Sequence, residues 1–192
     1  MILEGIVTTV DAYGAVNISP MGPRVDASMN RLVLRPYQTS TTYKNLKRKG
    51  EGVLHVTDDV LLLAQAAVAQ PDPPPLLSRA QTVDGWIIDD ACRWYEFRVT
   101  SLDDSAPRVE IVAEVVTRGH QRDFFGFNRA KHAVIEAAIL ATRLEFLPRE
   151  EILREFKRLA IIVEKTAGDQ ERRAMEFLDR YVRGDGSSPS AS

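Results

Sequence analysis

The sequence predicts a mainly β chain of the α+β class, an antiparallel barrel followed by helices. Three observations carry this. Residues 94–102 (WYEFRVTSL) and 108–118 (RVEIVAEVVTR) alternate with period two, as half-buried strands do. Shorter runs rich in β-branched residues precede them, and the joints between runs are mostly turn signals. Beyond residue 126 the apolar period lengthens to about 3.6 residues, the mark of helices packed on one face.

Taken in order, residues 2–10 form a first strand, with Ile6 to Val10 almost all β-branched. Asp11-Ala-Tyr-Gly14 reads as a hairpin turn. Residues 15–19 return as a second strand that Pro20 is expected to stop. A third strand is placed in 26–35. Residues 40–49 form a short basic helix, opened by hydroxyls and closed by Gly50. A strand at 52–57 precedes a Leu/Ala helix at 60–69, capped by Asp58 or Asp59. The prolines from Pro71 to Pro75 force an extended loop. Strands resume at 86–88, 94–102 and 108–118, the last two joined through 103–107. Helices follow at 127–147 (ended by Pro148), 149–166 (ended by Gly168) and from a cap at Asp169 to 182. The expected domains are therefore a barrel at 1–120, a helical extension at 121–183 joined through the hinge 119–126, and a disordered tail at 184–192.

Composition narrows the function. The net charge of −2 offers no field for nucleic acid or an anionic membrane. One cysteine, Cys92, can form neither an internal disulfide nor a thiolate metal cluster. His55, His120 and His132 lack metal-ligand spacing. The N-terminus lacks a basic leader and carries Glu4, and the apolar run 60–69 is far shorter than the roughly 20 residues of a membrane span. A soluble, cytoplasmic protein is expected.

Two stretches look chemical. Arg35, Ser40, Thr41, Thr42 and Asn45 supply a guanidinium, hydroxyls, an amide and the free N–H groups of a helix start. These are the donors a phosphate monoester needs. Upstream, Asn17-Ile-Ser-Pro-Met21 ends a strand, leaving backbone groups that can read the polar edge of a flat heterocycle. Each stretch alone is better explained as a helix cap or a strand end.

Their order and spacing change that. TTVD-x-x-G-x-x-N-I-S-P-M, a strand, then RP-x-x-S-x-T-x-x-N-L resembles the split-barrel FMN-binding proteins of the flavin reductase-like group. The resemblance runs through residues 3–118 and is sharpest over 7–57. The extension 126–143 (GFNRAKHAVIEAAILATR) is similar to one subfamily of small, mainly archaeal proteins of unassigned activity. It implies a split barrel that binds FMN, with Asn17, Ser19, Pro20 and Met21 along the isoalloxazine ring. Ser40, Thr41, Thr42 and Asn45 would hold the phosphate, with Arg35 close by. Flavin reductases often carry a lysine in the phosphate segment. Here that place is uncharged, and Arg35 is the expected substitute. The resemblance further implies a homodimer with flavin near the subunit boundary.

Asn128, Arg129 and His132 crowd the start of an Ala-rich helix, with Asn128, His132 and Glu136 on one face. They are the candidates for binding an anionic substrate, against a plain solvated face. His55 reads as structural, Cys92 as inert, and the basic run 44–49 as solvated. Two functions stay open: an FMN-dependent oxidoreductase acting on a small molecule, or a flavin carrier or sensor without turnover. A third possibility is a fold that binds another phosphorylated ligand.

Overall fold

The computed structural model describes residues 1–184; of the tail expected at 184–192, residues 185–192 lie outside the described residues. Contacts divide the chain into two units. One comprises Met1–Asp58 and Pro73–Phe124; the other comprises Asp59–Asp72 and the chain from Phe125 onward.

The first unit is built on a seven-stranded antiparallel sheet. Its members are β1 (Gly5–Val10), β2 (Val16–Met21), β3 (Arg24–Val25), β4 (Arg31–Leu34), β5 (Glu51–Val56), β8 (Arg93–Asp103) and β9 (Glu110–His120), in the order β2-β1-β5-β8-β9-β4-β3. β6 (Leu77–Arg79) and β7 (Trp86–Ile88) form a separate two-stranded sheet. The two edges of the large sheet belong to one stretch of chain. β2 pairs with β1, Gly5 opposite Met21, and β3 pairs with β4. Residues before β1 continue the same register, with Ile2 bridged to Arg24 and the Leu3 N–H bonded to the Pro23 carbonyl at 3.0 Å. The sheet therefore closes through the bend between β2 and β3, and the barrel is split along β2, which has β1 as its one strand neighbour.

The hairpin turn is as expected. Asp11 Oδ1 accepts from the Tyr13 and Ala15 N–H groups, each at 2.8 Å, and Gly14 takes φ 89°. Pro20 does not stop β2, which runs to Met21. A proline is tolerated on an edge strand, where one side of the backbone needs no ladder partner. The strand expected at 26–35 is confined to β4, because residues 26–30 turn around Asp26, whose Oδ1 accepts from the Asn30 N–H at 3.0 Å.

Inside the barrel Val7, Leu32, Leu34, Leu54, Phe97 and Ile111 are fully buried. Helix α1 (Thr41–Lys49) adds Tyr43 and Leu46 to that cluster. Gly50 ends it at φ 70°. His55 is fully buried. Its Nδ1–H donates to the Ile6 carbonyl (3.2 Å) and its Nε2 accepts from the Ile88 N–H (3.1 Å), so one neutral imidazole ties β1, β5 and β7. Glu96, also fully buried, accepts from the N–H groups of Gln81 and Thr82 (2.7 Å each) and Val83 (2.9 Å).

The second unit is helical: α2 (Val60–Val68), α3 (Arg129–Ala141), α4 (Arg149–Thr166) and α5 (Asp169–Arg183). Residues 59–72, assigned above to the barrel, group here, because α2 lays its Leu/Ala surface on α3 and α5. Asp59 caps α2, accepting from the Leu62 N–H at 2.9 Å. α3 begins at Arg129 and ends at Ala141 rather than spanning 127–147. Pro148 disfavours helical backbone in the residue before it, and the intervening residues make turns. Ala130, Ala133, Ala137, Ala138 and Ala141 are buried, so α3 approaches its neighbours closely. Gly168 rather than Asp169 precedes α5, and Glu171 folds back to accept from the Gly168 N–H at 2.8 Å. Lys131 Nζ pairs with the buried Glu171 at 3.0 Å. Among the described residues, no helix is long and apolar enough to cross a membrane.

Candidate functional site

The two stretches singled out in the sequence meet at one end of the barrel unit. The hairpin sets Thr9 directly opposite Asn17. Thr9 and Val7 stand two apart on β1 and so face the same side, toward the core. The N-terminal turn of α1 closes over this point. Asn17 Nδ2 donates to Thr42 Oγ1 at 3.1 Å and to Thr9 Oγ1 at 3.3 Å, and Asn45 Nδ2 donates to Thr9 Oγ1 at 3.0 Å. Thr9, Thr42 and Asn45 are buried. Two amides and two hydroxyls thus lock β1, β2 and α1 together with no formal charge.

This division of labour is finer than the one expected. Asn17 gives both amide protons to Thr9 and Thr42 and Asn45 gives one to Thr9, while the Thr42 hydroxyl accepts here and keeps its own proton to donate. Together they form the floor of the site. What faces outward is different. Ser40 caps α1, accepting from the Tyr43 N–H at 3.2 Å, and gives its own hydroxyl and N–H to the Tyr37 carbonyl (2.8 and 3.0 Å), while Thr41 is exposed. The N–H groups of the helix's first residues and the Thr41 and Thr42 hydroxyls are the donors left for an anion. Ser19, Pro20 and Met21 lie on the split edge, where β2 has no second strand to pair with.

Arg35 follows β4 and is not hydrogen-bonded to this cluster. Its Nε is buried without a hydrogen-bond partner. A buried donor left unpaired costs about 1–3 kcal/mol, so this Nε–H is available for an acceptor that the described residues do not supply.

α1 is held rigidly at its side. Tyr43 Oη donates to Asp104 Oδ2 at 2.7 Å, and Lys47 Nζ reaches the same oxygen at 2.6 Å. The hydrogen bonds from Lys47 and Tyr43 hold the Asp104 carboxyl below its usual range.

Thr9 is the site residue that sequence reasoning missed. It belongs to the quoted TTVD motif, and the tight turn at 11–14 fixes the register that puts it across from Asn17. The signal was therefore present in the hairpin.

The helical candidates stand differently. Asn128 is the N-cap of α3. Its Oδ1 accepts from the Ala130 and Lys131 N–H groups (2.8 and 3.2 Å), and its Nδ2 donates to the Thr166 carbonyl at 3.1 Å. Its amide is thus spent on joining α3 to the end of α4. Arg129 and His132 are exposed, with His132 edge-on to Phe127 at 6.1 Å between ring centroids. Cys92 is buried. Burial, then the nearby Asp58 carboxylate, pushes its thiol upward, so it is not an activated nucleophile. Among the described residues no cluster of His, Cys, Asp or Glu could hold a metal.

Two family profiles match the chain. Residues 3–122 match the N-terminal domain of the protein family of unknown function DUF447, and residues 128–180 match a second DUF447 profile. The chain belongs to the DUF447 family. Its fold is that of an FMN-bound DUF447 protein from Methanosarcina mazei, an archaeon: 22% identity, 94% of each chain covered, TM-score 0.80. The barrel unit is similar to 2-nitrobenzoate 2-nitroreductase from Pseudomonas fluorescens (17% identity, 61% of this chain and 64% of that one, TM-score 0.53). It is also similar to the styrene monooxygenase flavin reductase from Pseudomonas putida (13% identity, 62% and 79%, TM-score 0.52). A search of curated proteins finds no match. The DUF447 fold is thus the flavin reductase-like split barrel with a C-terminal helical extension, as the motif resemblance implied.

Proposed function

We propose that this DUF447 protein binds FMN and acts as an FMN-dependent oxidoreductase on a small molecule. The observation that carries the proposal is the Asn17–Thr42 hydrogen bond (3.1 Å), which fastens the ring segment to the phosphate segment. The open edge of β2 thus starts beside the N-terminal turn of α1. The M. mazei DUF447 protein, FMN-bound in its crystal, supports the same ligand here.

The residues fit the group. The Thr41 and Thr42 hydroxyls and the first N–H groups of α1, with Ser40 as their cap, would take the phosphate, and the orphaned Arg35 Nε would give its charge a partner. Ser19, Pro20 and Met21 would lie along the ring. FMN supplies hydride or electron transfer, and the protein supplies position and electrostatics. Thr9, Asn17, Thr42 and Asn45 are uncharged and mutually bonded. Their work is to fix the floor, not to move protons.

That absence of an acid–base pair in the floor also favours a second reading, a flavin carrier without turnover. Reduction of the bound flavin by NAD(P)H, followed by reoxidation with a candidate acceptor, separates the two. Under the first reading Arg129 and His132 select the substrate, and their alanine variants change KM without changing FMN affinity. A homodimer in the cytoplasm, with flavin near the subunit boundary, belongs to the same proposal. Sedimentation with and without FMN checks the assembly. For the cofactor itself, Thr41→Ala combined with Thr42→Ala should weaken FMN binding at least about tenfold, since charge-assisted hydrogen bonds contribute roughly 1.5–3 kcal/mol each. An unchanged affinity would mean the phosphate lies elsewhere.

A further inference from the structure

A second polar site stands apart from the Thr9–Asn17–Thr42 cluster. A cavity of about 340 Å³ is lined by Arg24, Val25, Asp26, Arg31, Val33 and Glu110. That volume lies at the lower end of those that hold small-molecule ligands. Arg24 stands opposite Val33 in the β3–β4 ladder, and Arg31 is two residues from Val33 on the same strand. The two arginines are diagonal neighbours, with backbones about 7–8 Å apart. Neither guanidinium, nor the Glu110 carboxylate, has a partner among the described residues. Asp26 offers little relief. Its carboxylate is committed to the Ser28 hydroxyl and to the N–H groups of Asn30 and Arg31, and the Ser28 bond, first of these, holds it below its usual range.

Asp26, Glu110 and, opposite Arg31 in the β4–β9 ladder, Glu114 lie near the two arginines, but none of these carboxylates is hydrogen-bonded to either guanidinium, so both keep their paired donors free. A planar guanidinium binds carboxylate or phosphate through paired N–H groups. Glu110, unpaired on the same wall, accepts a hydrogen bond. Val25 and Val33 give an apolar surface between these charged groups. We propose that this cavity binds a small metabolite carrying an oxyanion, carboxylate or phosphate, held by Arg24 and Arg31. A hydroxyl or amine of the same ligand donates to Glu110, and its carbon body rests on Val25 and Val33.

The test uses the full-length protein saturated with FMN, so that the α1 N-terminus does not compete for the probe. If the protein takes up no FMN, the same titration is run on the protein as purified, because Arg24, Arg31 and Glu110 are independent of that reading. Sodium phosphate and sodium succinate are added separately, with sodium chloride at matched ionic strength as control. Binding is read from the Nε–H NMR signals of Arg24 and Arg31, assigned by Arg24→Gln and Arg31→Gln. Saturable shifts with one probe and not chloride identify the oxyanion as phosphate or carboxylate. The Arg24→Gln/Arg31→Gln double variant should weaken that binding at least about tenfold. Glu110→Gln should strengthen succinate binding by about two- to fivefold, because succinate brings no hydroxyl or amine to Glu110 and the change removes a like charge from the wall. A gain of affinity cannot come from misfolding. Shifts equal to those in chloride, or binding indifferent to all three substitutions, would overturn the proposal.

Discussion

Glu96→Gln is the sharpest probe of how the barrel is held. The carboxylate is fully buried, and its partners are backbone N–H groups: Gln81 on one oxygen, Thr82 and Val83 on the other. No cation pairs with it among the described residues. Glutamine has the same shape but one acceptor in place of two. Its oxygen would keep the two bonds from Thr82 and Val83, and its NH₂ would then face the Gln81 N–H. A buried donor left unpaired costs about 1–3 kcal/mol, and each surviving bond loses roughly 1 kcal/mol of charge assistance. Relief from burying a charge offsets part of this, leaving a net loss of about 2–4 kcal/mol. At about 2–4 °C per kcal/mol, the melting temperature should fall by roughly 5–15 °C. Thermal unfolding followed by far-UV circular dichroism at neutral pH reads this directly. A variant melting within a degree of the parent would show that the 81–83 loop does not depend on Glu96.

Other expectations follow from buried groups in both units. Burial pushes the His55 imidazole down to about 4, and its bond to Ile6 only partly opposes this. Its folded value lies below the unfolded one, so the stability it gives is complete above about pH 6.5 and is lost as pH falls toward 4, by about 3 kcal/mol. Unfolding free energies from urea titrations at pH 7 and pH 4.5 should differ by about 2–2.5 kcal/mol from this group, and His55→Asn should flatten the difference. Lys131→Met would leave the buried Glu171 without its cation and should cost about 3 kcal/mol, with Lys131→Met/Glu171→Gln recovering most of it in the same urea assay. Cys92 should react with a thiol reagent at pH 7.5 only after denaturation, since burial and Asp58 keep it protonated.

Much of this molecule is legible where the signal is local. The 5–21 hairpin follows from its β-branched run and the Asp11–Gly14 turn, and α1 from its hydroxyl cap and Gly50. His55 reads as structural from its place in an apolar strand. The failures come from contacts between distant parts of the chain. β3 is two residues long, too short for any period, yet it closes the barrel. Glu96 falls on the polar parity of an alternating strand, and only the fold brings residues 81–83 over it. α2 looks like an insertion in the barrel because nothing local shows that its apolar surface matches α3 and α5. Asn128 is instructive in another way. An Asn just before an Ala-rich helix is a capping signal, and the amide of Asn128 is engaged as that cap.

At the site, Asn17, Thr42 and Asn45 also brace one another, with Thr9 as the unforeseen hub. The exposed donors and the split edge of β2 are left to meet the ligand. The most direct measurement is a titration of FMN into the purified, ligand-stripped protein, followed by quenching of flavin fluorescence. Saturable one-to-one binding, with bound flavin absorbing near about 450 nm and weakened by the Thr41→Ala/Thr42→Ala pair, is the predicted result. A colourless protein that leaves the fluorescence of added FMN unchanged would contradict it.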